Sequence, residues 1–195
     1  KAKSEAATAL KRAEALAPKH PMVLALQANF LEEKGDFVGA LALLQESAKL
    51  GTQDSNPMMW RGLLLLRTGY VDEAIAVLEN AQKLDPLSGI NNGYLAMAYL
   101  SAGHYEKAEA TARKAASQGW DPAIFIVVYD LAARGERKRA LAIWDELITP
   151  IESKENAKNN AAERALLENP GDGDAFTARI DDRTISIEFS IALNR

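Results

Sequence analysis

Over its first three quarters the chain places apolar residues at the three-and-four spacing of helices that bury one face. Val71, Ala74, Ile75, Leu78 and Ala81 are one such stripe, with Asp72, Glu73, Glu79, Asn80 and Lys83 off it. The pattern predicts nine helices, over roughly 2–17, 22–34, 37–49, 57–68, 71–83, 88–102, 105–117, 122–134 and 137–148. Asn56-Pro57 and Asp121-Pro122 read as capping residues followed by proline in the first helical turn. Thr149-Pro150-Ile151-Glu152 has the form of a capping box, which predicts one more helix over 149–168.

The stripes repeat. Gly35, Gly69 and Gly103 stand 34 residues apart, and a fourth copy starts at Gly135, 32 residues on. Each glycine follows one apolar stretch and precedes another, in Gly-Asp-Phe-Val-Gly-Ala, Gly-Tyr-Val-Asp-Glu-Ala, Gly-His-Tyr-Glu-Lys-Ala and Gly-Glu-Arg-Lys-Arg-Ala. A glycine just past a helix end supplies the positive φ that turns the chain. Ala6, Ala40, Ala74, Ala108 and Ala140 keep the same period, at positions where a second helix has to approach its partner closely. A fixed period of this length marks a helical repeat array.

With these residues the chain resembles the tetratricopeptide repeat family. Gly62, Leu65, Gly69, Ala74, Leu78, Ala81 and Pro86 fall where that family carries its small and large signature residues, as do Leu95, Ala96, Tyr99, Gly103, Tyr105, Ala108 and Ala115. Ser47 departs from the alanine expected late in a second helix, and Trp144 from a smaller aromatic. The resemblance covers about 1–148. It implies an all-α, right-handed superhelical solenoid of antiparallel helix pairs, about 4.5 repeats long, closed by a capping helix over 149–168. The first helix matches only the second half of a repeat, and the chain opens on Lys1, so it is expected to be a piece of a longer array or to begin with a lone capping helix.

The resemblance also implies a function. First helices of such pairs line a groove, and their register against each glycine assigns Ala25, Asn29, Met59, Leu63, Gly93, Met97, Phe125 and Tyr129 to it. Family members that grip acidic C-termini use Lys, Arg and Asn at these places, whereas this chain offers Asn29 alone. An apolar peptide or helix, re-packing around flexible methionines, is the expected ligand. The expected role is thus a non-catalytic scaffold or adaptor for a protein partner. The alternatives are a soluble subunit of a bacterial envelope assembly for secretion, polysaccharide export or cytochrome maturation, and self-association through the tail.

Residues 169–195 break the helical period. Pro170-Gly171-Asp172-Gly173-Asp174 reads as a linker, and Ile185, Ile187, Phe189, Ile191 and Leu193 alternate with smaller or polar residues as in a strand. A β-hairpin over 176–193 follows if Asp181-Asp182 makes the turn, and it offers docking in cis on the groove or the cap helix, docking on the sheet edge of a partner, or pairing with a second copy. Asp172-Gly173-Asp174 opens like a calcium loop, but Phe176 occupies the place of the next ligand.

Composition adds exclusions rather than a new function. The 195 residues carry 23 basic and 27 acidic side chains, so a net charge of −4 gives no basic stripe for nucleic acid. Cysteine is absent, which removes thiolate metal sites and disulfides but leaves cytoplasm and bacterial periplasm equally open. The two histidines, His20 and His104, lie in inter-helix turns without a ligand partner at helical spacing. No phosphate loop, nucleophile elbow or zinc-protease helix occurs, and neither an enzyme nor a cofactor is expected. Arg134, Arg137, Lys138 and Arg139 form a basic cluster, and Trp60, Trp120 and Trp144 are expected to fill gaps between helices. No apolar run approaches the ~20 residues of a membrane span.

Overall fold

The computed structural model describes residues 2–51, 53–151 and 157–168. Helices α1 (Ala2–Leu16), α2 (Pro21–Glu33), α3 (Phe37–Lys49), α4 (Asn56–Arg67) and α5 (Val71–Leu84) belong to one compact unit, 1–87. Helices α6 (Gly89–Ser101), α7 (Tyr105–Ser117), α8 (Pro122–Ala133), α9 (Arg137–Ile143) and α10 (Ala157–Glu168) belong to a second, 88–195. Consecutive helices pair as α2/α3, α4/α5, α6/α7 and α8/α9. The borders of α1 to α8 follow the sequence pattern to within one or two residues.

The glycines do what their period requires. Gly35 has φ +81°, its N–H donates to the Glu32 carbonyl at 2.9 Å and the next N–H, of Asp36, reaches back to Leu31 at 2.9 Å. This pair of bonds satisfies the last carbonyls of α2 and turns the chain sharply into α3. The same pair closes the helices before Gly69, Gly103, Gly119 and Gly135. Nothing lies within 4 Å of a Cβ built on Gly35, so its constraint is the backbone conformation alone.

In the first unit Ala25, Ala28, Ala40, Leu44 and Leu64 form the core, with Leu31, Leu41, Leu43 and Trp60 packed on it. Ala40 is fully buried, as are Ala74, Ala108 and Ala140 at the same register, whereas Ala6 is exposed. Gly62 lets α5 approach, because a Cβ there would lie 2.5 Å from Leu78 Cγ. Ser47, where alanine was expected, is fully buried and its hydroxyl donates to the Pro21 carbonyl at 2.8 Å, tying the end of α3 to the start of α2. An ion pair between Arg67 and Glu32 joins α4 to α2.

Two helix starts differ from expectation. Helix α4 begins at Asn56 itself, whose N–H is accepted by Asp54 Oδ1 at 2.9 Å. Asp121 precedes α8 with an α-region backbone and makes no side-chain capping bond. Caps form instead at His20, Asp36 and Ser88.

In the second unit α9 does not run regularly to residue 148. It changes at Trp144 into a π-helical turn, Trp144–Ile148, followed by a 3-10 turn, Thr149–Ile151. Trp144 is 1% exposed and meets Phe125 edge-on at 5.7 Å between ring centres, so the large indole is part of the core. The Thr149 hydroxyl donates back to the Trp144 carbonyl at 3.5 Å. The described part of the capping segment is α10, which packs on α9 with Leu167 buried. Arg164 clamps it with Nε to Asp145 Oδ1 at 2.7 Å and Nη2 to Oδ2 at 2.9 Å. The strand and hairpin expected over 169–195, the linker and the loop at Asp172 lie outside the described residues.

Candidate functional site

The eight residues assigned to a groove divide by burial. In the first unit Ala25 and Met59 are buried, at 0% and 3% exposure, while Asn29 and Leu63 keep part of their surface. In the second unit Gly93, Met97 and Tyr129 are buried and Phe125 is half-buried. Gly93 serves packing: a Cβ there would fall 1.9 Å from Trp120 Cζ3, so the indole lies on the bare backbone of α6. Tyr94 meets the same indole at 5.5 Å between centroids, its ring tilted against it. The Tyr129 hydroxyl donates to Glu163, joining α8 to α10 through a buried hydrogen bond. Asn29, Leu63 and Phe125 are therefore the members of the set with surface to offer.

Sequence reasoning overlooked a second place. An open cleft of ≈ 480 Å³ lies in the first unit along α3, lined there by Phe37, Val38, Leu41, Ala42 and Gln45. Leu64 and Thr68 at the end of α4, and Tyr70 in the turn after it, complete the wall. Its rim is apolar and solvated at once: Phe37 is 46% exposed, Tyr70 55% and Val38 84%. The Thr68 hydroxyl is used internally, donating to the Leu64 carbonyl at 2.8 Å.

The repeat shows why this is unusual. At the register of Val38 the later second helices carry Asp72, Glu106 and Lys138, charged and exposed. An exposed position in a surface helix is ordinarily polar, and in this array it is polar three times out of four. The clue in the sequence was Phe37-Val38-Gly39-Ala40-Leu41, which is apolar on more faces than pairing with α2 and α4 consumes.

The charged residues elsewhere are largely engaged with one another. Glu109 on α7 accepts from Arg113 Nε at 3.0 Å and from Arg139 on α9, and Arg113 Nη1 reaches Glu146 at 2.7 Å. The Glu146 hydrogen bond holds the Arg113 guanidinium above its ordinary pKa, and the Glu109 charge does so for Arg139. Arg134 pairs with Asp130 and Glu136 and lies 3.6 Å over the Tyr105 ring. Two members of the basic cluster are thus neutralised, leaving Arg137 and Lys138 exposed. Burial raises the Asp121 carboxyl.

His20 Nδ1 accepts from the Met22 N–H at 3.2 Å, and the His104 ring meets Tyr99 edge-on at 6.2 Å. Among the described residues no group of three or more His, Cys, Asp or Glu converges on a metal-sized space. No described helix is long and apolar enough to cross a membrane.

A family model described as tetratricopeptide repeat matches residues 3–55 and 58–123, more than half of the chain. The chain belongs to the tetratricopeptide repeat family. Its structure is similar to the crystal structure of MamA, with 20% identity and a TM-score of 0.63, over 78% of this chain and 88% of that one. It is similar to the same degree to TTC0263, described as a thermophilic TPR protein in Thermus thermophilus, at 20% identity and TM-score 0.63, covering 82% of this chain and 88% of that one. At such identity the likeness is one of fold. Among curated proteins no sequence matches. Tetratricopeptide repeat domains bind protein partners and are typically non-catalytic scaffolds, which places this chain among protein-interaction modules.

Proposed function

We propose that this chain is a non-catalytic scaffold that holds an apolar peptide or helix of a partner protein, with the cleft beside α3 as its principal docking surface. The observation that carries the reading is Val38, an aliphatic side chain left 84% exposed at a register where the later repeats carry charge. Water gains nothing from an ordered valine, so its surface is available to a partner that desolvates it. Asn29 and Leu63 are proposed as additional contacts on the first helices of the same unit, and Phe125 as a separate contact in the second unit. Met59 and Met97 are buried, so lysine at those positions would test folding rather than binding.

The test is site-specific photo-crosslinking in the native cell. A crosslinking residue at Val38 is expected to capture a defined partner that the same residue at Leu16, 86% exposed and outside the cleft, does not. Tyr70→Asp is expected to abolish that capture while leaving the circular dichroism spectrum intact. Capture that is the same at both positions, or that survives Tyr70→Asp, would remove the cleft from the function.

A further inference from the structure

The cleft's rim carries information about what it holds. Phe37, Val38, Leu41, Ala42 and Gln45 lie at i, i+1, i+4, i+5 and i+8, so the cleft runs along about two turns of α3, roughly 12 Å. A wall of that shape is the flank of a helix, with small Ala42 allowing another backbone to come near. Exposed carboxylates lie close in sequence to its lining residues: Asp36 directly before Phe37, Glu46 directly after Gln45, and Asp72 and Glu73 in the first turn of α5, two and three residues after Tyr70. Asp36 Oδ1 already accepts from the Gly39 N–H at 2.8 Å, while Glu46, Asp72 and Glu73 have no ion-pair partner among the described residues. The cations nearest α3 in sequence are Lys34 before it and Lys49 at its end, and Arg67 is committed to Glu32.

Resting on the reading of the cleft as a docking surface, we infer that its occupant is an amphipathic helix of a partner protein whose apolar stripe is flanked by Lys or Arg. The apolar side chains enter beside Val38 and Leu41, covering surface that is now in water. The flanking cations meet Asp72, Glu73 and Asp36, which are solvated and so contribute to choice of partner and to association rate more than to tightness. The occupant adds a helix alongside α3, as amphipathic helices do in apolar grooves.

The inference is tested with two synthetic helical peptides that share one leucine and phenylalanine stripe and carry either lysine or glutamate at every flanking position. Their binding to the full chain is followed by fluorescence anisotropy. The lysine peptide is expected to bind about tenfold more tightly at low salt, with the gap closing as salt screens the rim. In Asp72→Lys/Glu73→Lys the preference is expected to reverse, and in Val38→Asp both peptides are expected to lose binding. Equal binding of the two peptides, abolished by Val38→Asp, would overturn the charge selection while leaving the cleft as a docking surface. Binding that ignores Val38→Asp, or binding of neither peptide, would overturn both. A concentration-dependent dimer in size exclusion that Val38→Asp dissolves would assign the cleft to a second copy and overturn the inference.

Discussion

Gly93 shows how a single residue is explained by what lies on it. By sequence it is a helix-interior glycine, which costs about 1 kcal/mol against alanine and so needs a reason. Trp120 is that reason, since its ring carbons stand 1.9–2.0 Å from where a Cβ would be. Overpacking of this kind costs about 1–3 kcal/mol, more than the helix-propensity gain. Gly93→Ala is therefore expected to lower the stability of the second unit by up to about 2 kcal/mol, read as an earlier urea midpoint at unchanged slope. An unchanged midpoint would mean that the indole moves aside without loss. Ser47 makes the complementary point: the family pattern asks for a small residue, and serine meets it while its hydroxyl, buried at 0% exposure, finds the Pro21 carbonyl.

At the scale of elements, α10 is held by three different kinds of contact. Leu167 is buried, Tyr129 donates to Glu163, and Arg164 clamps Asp145 with two hydrogen bonds. The clamp holds the Asp145 carboxyl below its ordinary pKa, with hydrogen bonding to Arg164 the main cause. An acid whose pKa is lowered by folding contributes its stability above the unfolded value, ~3.9, and loses it as pH falls through the lower folded value. Both groups are substantially solvated, so the contribution is under about 1 kcal/mol. Hydrogen-exchange protection of the α10 amides is expected to fall by up to about fivefold between pH 6 and pH 3, and by clearly less in Arg164→Gln. Equal losses in the two proteins would show that the clamp contributes nothing to docking.

At the scale of the whole molecule, repetition gives each helix pair the same framework and leaves differences between repeats to carry specificity. Only the first of the four complete pairs has an apolar residue at the exposed register of Val38. A partner helix that uses the cleft is therefore expected to bind with a stoichiometry of one per chain, measured by isothermal titration calorimetry. Two or more equivalent sites per chain would point to surfaces common to all the repeats.

The helices, their turns and the family could be read from the sequence because each depends on local physics that repeats. Glycines with positive φ at Gly35, Gly69, Gly103 and Gly135, and buried alanines at Ala40, Ala74, Ala108 and Ala140, leave a periodic trace that survives variation elsewhere. Which side chains remain in water depended on tertiary packing. Period and register assigned Met97, Gly93 and Tyr129 to a surface, but all three are buried; Trp120 covers Gly93 and α10 meets Tyr129, since residues distant in sequence occupy that space. The cleft arises in the same way: α3 offers more apolar faces than its neighbours cover, and only the placement of α4 and of Tyr70 showed which face stays open.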